Sequence, residues 1–72
     1  MATVESTVFV ALLGEAVDVW RPVQAIDLGG GTYRLPPLAP VGEDWAFSAG
    51  SVVRCERRVI EGDHVLVVYA LA

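Results

Sequence analysis

Hydrophobic and polar residues alternate most regularly along residues 17–35, which read VDVWRPVQAIDLGGGTYRL. One face carries Val17, Val19, Val23 and Ala25, and the other carries Asp18, Trp20 and Gln24. Alternation with a period of two is typical of a half-buried β-strand. The triple glycine that follows can adopt positive φ without a Cβ clash, so the chain can reverse tightly there. The pattern therefore predicts a β-hairpin over residues 17–35.

Three further segments have the composition of strands. Residues 7–13 and 65–71 are apolar on both faces, and residues 51–60 precede a turn at residues 61–64. A connection with three prolines, PPLAPVGED, leaves no room for a helix, and no segment has helical periodicity. The sequence thus predicts an all-β fold, a small five-stranded, partly open antiparallel barrel. We expect one domain over residues 1–72, with residues 1–6 as a frayed lead-in.

The order of these elements resembles the SH3-like barrel group, in which a long bent second strand precedes a hairpin. More narrowly, the motifs DVWRPV, GTYRL, WAF and GSVVRCE are similar to those of small, uncharacterised, stand-alone bacterial proteins. The similarity covers about residues 8–68, and its motifs consist of aromatic and glycine scaffolding. The resemblance implies an SH3-like barrel and a bacterial origin, and it implies no particular activity.

The chain is unusually apolar for its length. Hydrophobic residues make up 54% of it and the mean hydropathy is +0.52, more than the interior of a small barrel can accommodate. We therefore expect a protein interface, and we predict a homodimer, or a heteromer in the cell, that uses the first and last strands. The longest apolar runs fall short of the ~18 residues of a membrane span. With a single cysteine and no signal-peptide pattern, the sequence predicts a cytoplasmic protein.

The charge distribution argues against nucleic-acid binding. The net charge is −4, whereas phosphate neutralisation requires a clustered positive surface. The basic cluster consists of Arg54, Arg57 and Arg58, with Glu56 between them. Alternating charges on one strand face are typical of a solvated surface, and an anion or acidic-partner site is the minor alternative.

The sequence predicts neither catalysis nor a bound cofactor or metal. Cys55 lies in mid-strand, where a thiol is usually an inert apolar group, and His64 lies too far along the predicted hairpin to activate it. One cysteine and one histidine cannot complete a tetrahedral metal site. The triple glycine lacks the lysine and the following helix of a phosphate-binding loop.

The candidate partner-binding residues surround two tryptophans. Asp18, Trp20 and Arg21 combine an indole with both signs of charge, as binding hot spots often do, and Glu43 and Asp44 could receive a basic group. The alternative is that Trp20 caps the barrel, while Trp45 and Phe47 are expected in the core. The sequence favours a non-catalytic protein-binding module. A small immunity or antitoxin-type protein that neutralises one partner is the alternative.

Overall fold

All regular elements in the described residues, 4–15 and 19–72 of this computed structural model, are β-strands. They are β1 (Glu5–Ala11), β2 (Trp20–Gly29), β3 (Thr32–Arg34), β4 (Val52–Ile60) and β5 (Asp63–Leu71). The all-β, five-stranded barrel is therefore confirmed, and its architecture is consistent with the SH3-like barrel that the resemblance implies.

The barrel is closed by a short parallel pairing between β1 and β5. Each strand is antiparallel to the next, so the first and fifth strands of an odd-numbered set run in the same direction. They pair through Val8 with Leu66 and Phe9 with Val67. The sheet is thus closed rather than partly open, and one of its pairings is parallel.

The barrel interior is filled mainly by β-branched residues, as the alternation predicted. On β2, Val23 and Ala25 point inward and lie opposite Val8 and Ser6 of β1. Trp45 is buried in the core, and Phe47 packs against it, which confirms the expected position of both aromatic residues. The buried cluster comprises Val8, Val10, Val23, Ala25, Tyr33, Leu35, Trp45, Val53 and Val68.

The triple glycine turns the chain where it was expected to. Gly29 pairs with Thr32, so Gly30 and Gly31 form a two-residue turn in which both residues have positive φ. A two-residue turn with positive φ at both positions, as in type I′ turns, matches the right-handed twist of the flanking strands. The Gly29 N–H donates to Asp27 Oδ1 at 2.8 Å, and a register shift between Asp27 and Gly29 accommodates an extra residue.

Two strands begin earlier than the sequence suggested. β1 begins at Glu5 instead of Thr7, within the predicted lead-in. β5 begins at Asp63 instead of Val65, because the turn consists of Glu61 and Gly62 alone, both with positive φ. Val17 and Asp18 lie outside the described residues.

β4 extends well beyond β3, its neighbour on one side. β3 pairs only with Val52–Arg54, whereas β4 continues to Ile60. Val59 lies on the same strand face as the buried Val53, but it is 61% exposed because it lies on this extension. The molecule measures 41 Å along its longest axis and 18 Å along its shortest.

Candidate functional site: the barrel rim

The candidate site lies at the end of the barrel where β1 ends and β2 begins. Residues 43–46 cross this end and bond to Ala11, the last residue of β1, and to Leu13 just after it. The Leu13 N–H donates to the Asp44 carbonyl at 2.7 Å, and the Ala46 N–H donates to the Ala11 carbonyl at 2.8 Å. These bonds bring two segments that are distant in sequence to one surface. We call Leu13, Trp20, Arg21, Glu43 and Asp44 the barrel rim.

Glu43 connects the rim to the core. Its Oε2 lies 2.8 Å from Nη2 of Arg21, and its Oε1 accepts a hydrogen bond of 3.0 Å from Nε1 of the buried Trp45. The Glu43 side chain is only 16% exposed, while that of Arg21 is 47% exposed. The carboxylate is therefore held by two donors and orients the arginine at the surface.

Trp20 and Arg21 point to different sides of β2. Arg21 lies opposite the buried Val10, and so on the inner face of the sheet, but its own side chain is exposed. Trp20 lies opposite Ala11 and is half-buried. The indole thus belongs to the outer face of the sheet and is no member of the buried cluster.

The rest of the rim combines an apolar side chain with a carboxylate. Leu13 is 57% exposed, and Asp44, whose carbonyl it bonds, is also exposed. Neither the leucine nor its exposure was predicted from the sequence, because the apolar run containing it suggested a buried strand. Asp18, the remaining predicted site residue, lies outside the described residues.

The geometry of Cys55 does not suit nucleophilic catalysis. Burial raises the pKa of the Cys55 thiol to about 11, so the thiol stays protonated at neutral pH. His64 lies opposite Val59, four residues along β4 from Cys55, which corresponds to about 13 Å. Cys55 instead lies near Tyr33, whose pKa is raised mainly by burial and further by Asp27 and Cys55.

Clefts elsewhere in the molecule do not involve the rim. One of about 290 Å³ lies between β1 and β5, and one of about 460 Å³ lies beside Pro36 and Pro37. Neither is lined by a rim residue. Within residues 4–15 and 19–72, no group of three potential ligands is placed to hold a metal ion. The rim is therefore a surface for contact rather than a cavity.

Comparison with known proteins identifies no relative of this chain. No protein-family model matches the chain, and neither a curated protein nor a solved structure is significantly similar to it. In the described part of the chain, no helix has the length and apolarity needed to cross a membrane.

Proposed function

We propose that the protein is a non-catalytic binding module whose barrel rim contacts a protein partner. The observation that carries this proposal is the arrangement around Glu43, which holds Arg21 at the surface and anchors both residues to the buried Trp45. A charged group that is already ordered loses less conformational freedom when a partner binds. Binding hot spots commonly combine such an arginine with a neighbouring tryptophan.

The chemistry of the rim favours a partner segment that is basic and partly apolar. The Glu43 carboxylate already engages Arg21 and Trp45, whereas the Asp44 carboxylate makes no bond to another described side chain. Asp44 is therefore available to a lysine or arginine of the partner. Leu13 and the half-buried Trp20 supply apolar contact area on either side of these charges. The net charge of −4 favours the approach of a basic segment.

Capture experiments with matched variants test this proposal. The tagged protein, its Trp20→Ala variant and its Arg21→Ala variant would be used to capture partners from a bacterial lysate. Arg34→Ala is the control, because Arg34 is an exposed arginine on β3 that lies opposite Ile26, about 17 Å along β2 from Arg21. We expect both rim variants to lose the captured protein and the control to retain it, with all melting curves close to that of the parent.

Tryptophan fluorescence provides a second test that needs no partner. In a Trp45→Phe background, the remaining indole of Trp20 should emit at an intermediate wavelength and be accessible to a soluble quencher. A blue-shifted emission that resists quenching would show that Trp20 is sealed from solvent. That result would remove the anchor of the proposed contact surface.

A further inference from the structure

The wall of the barrel is open between the first parts of β1 and β5. The two strands pair only through Val8 with Leu66 and Phe9 with Val67. The residues of β1 and β5 that precede these pairs are not paired with each other, and a cleft of about 290 Å³ lies there. We call it the β1–β5 cleft, and its lining consists of Thr7, Phe9, Arg57, His64, Val65 and Leu66.

The lining of the β1–β5 cleft comes from both faces of the barrel wall. Phe9 lies on the outer face of β1, because it alternates with buried residues. Arg57 lies on the same face of β4 as the buried Val53, and it is opposite Leu66, which packs against the core. Side chains from opposite faces of a sheet can line one cleft only at a gap in the sheet. The cleft is therefore a gap in the wall, and Phe9, Val65 and Leu66 give it an apolar surface.

Arg57 brings a positive charge to the cleft and forms no ion pair with a described carboxylate. The adjacent carboxylate, Glu56, lies on the other face of β4 and pairs with Arg58. The remaining ion pair among the described residues joins Arg21 with Glu43. A guanidinium without a carboxylate partner can bind one through two parallel hydrogen bonds.

Thr7 adds two hydrogen-bond donors on the facing strand. Its hydroxyl accepts a bond of 2.7 Å from Gln24 Nε2, so the hydroxyl proton can still be donated. The Ala11 carbonyl bonds to Ala46 and not to β2, and alternate residues of a strand direct their main-chain groups to the same side, so the Thr7 N–H points towards β5. The pairing with β5 begins only at Val8, which leaves this N–H outside the ladder.

We propose that the β1–β5 cleft binds a small carboxylate with an apolar body. The carboxylate would accept hydrogen bonds from Arg57 and Thr7, and the His64 imidazole can donate a further one. The apolar body would contact Leu66 and the ring of Phe9. A volume of about 290 Å³ is at the lower end of the range for small-molecule pockets, so the ligand is small. This inference goes beyond the proposed function, because the cleft shares no residue with the barrel rim.

A monoanion suits the cleft better than a phosphate dianion does. Arg57 is the one permanently charged residue in the lining, and the net charge of −4 repels multiply charged anions. The apolar side chains of the lining also offer no hydrogen bonds to further phosphate oxygens, whose burial would be costly.

An NMR titration of the isotopically labelled protein with phenylacetate tests the site. We expect the amide resonances of Thr7, His64, Val65 and Leu66 to shift together and to saturate at millimolar ligand, since the cleft is small and open. Phenylacetamide lacks the charge, acetate lacks the apolar body, and inorganic phosphate detects a general anion site. Each of these three should bind on the order of tenfold more weakly than phenylacetate.

Variants of Arg57 show whether binding occurs in the cleft. Arg57→Gln should weaken phenylacetate binding about tenfold, and Arg57→Lys, which keeps the charge without the planar fork, should weaken it less. The matched control is Arg54→Gln, because Arg54 is also an exposed arginine of β4 but lies on the opposite face, outside the cleft. This control should leave the affinity unchanged, and the spectrum of each ligand-free variant shows whether it is folded.

Equal affinity for phenylacetamide, acetate or phosphate would overturn the proposed class of ligand. Equal losses in Arg54→Gln and Arg57→Gln would overturn the site, as would shifts confined to the barrel rim. An absence of shifts at millimolar phenylacetate would overturn the proposal as a whole.

Discussion

Replacing Glu43 should separate the two interactions that hold the barrel rim. Glu43→Ala leaves the Nε1–H of Trp45 without its acceptor in a residue that is buried. An unsatisfied buried donor costs about 1–3 kcal/mol of unfolding free energy. The lost ion pair with Arg21 adds only about 0.2–1 kcal/mol, because nearly half of the arginine side chain is exposed to solvent. We expect Glu43→Ala to be destabilising mainly through the indole.

Glu43→Gln is the matched control. Its carbonyl oxygen can still accept the hydrogen bond from Trp45, whereas its charge is gone, so we expect a loss of about 0.2–1 kcal/mol. Arg21→Ala should produce a loss of similar size, and combining it with Glu43→Gln should add little, since both remove the same ion pair.

Urea unfolding monitored by circular dichroism measures these differences as shifts of the midpoint at constant slope. Equal losses for Glu43→Ala and Glu43→Gln would show that charge, and not the bond to the indole, carries the contribution of Glu43. An unchanged midpoint in Glu43→Ala would refute the role of Glu43 as a structural anchor of the rim.

Two other predictions concern the glycine turn and the thiol. Gly30→Val should lower stability by about 1–3 kcal/mol, because a β-branched residue is strained at a φ of +64°. A steric clash is not the cause, since no described atom lies within 4 Å of the added Cβ. Thermal melts should show a much smaller loss for Gly30→Asn, and equal losses in the two variants would show that backbone strain at residue 30 is not the cause. Cys55 should react slowly with a soluble disulfide reagent at pH 8, as its pKa is raised to about 11. Because the unfolded chain loses this proton first, near its ordinary pKa of about 9, stability should fall as the pH rises from 9 to 11, and less steeply in Cys55→Ala. An equal slope in the two proteins would contradict this assignment.

The features that could be predicted from the sequence are those that depend on neighbouring residues. Alternation identified the inward positions of β2, and the triple glycine located the turn, because both follow from local backbone geometry. The contact between Arg21 and Glu43 could not be predicted in this way. The two residues are separated by the β2–β3 hairpin and the proline-rich connection, whose path decides which groups meet. Each residue was a candidate, but their pairing required the tertiary fold.

The exposure of Val59 could not be predicted from the sequence for a related reason. Its alternation with Val53 and Cys55 is that of a strand with one buried face, although Arg57 interrupts that face. Burial also depends on how far the adjacent strand extends, and β3 is only three residues long. The length of a neighbouring strand is not encoded in the pattern of β4. The same difference in length leaves the edge of β4 beyond Cys55 without a neighbouring strand among the described residues.

The charges on β4 explain how the exposed part of its edge can avoid indiscriminate pairing. Natural proteins place charged residues on strand edges because indiscriminate pairing leads to aggregation. Glu56, Arg57 and Arg58 lie on the stretch of β4 beyond its pairing with β3, and the Cys55 N–H is already bonded to the Gly31 carbonyl. The length of edge that is open to another strand is therefore short and highly charged.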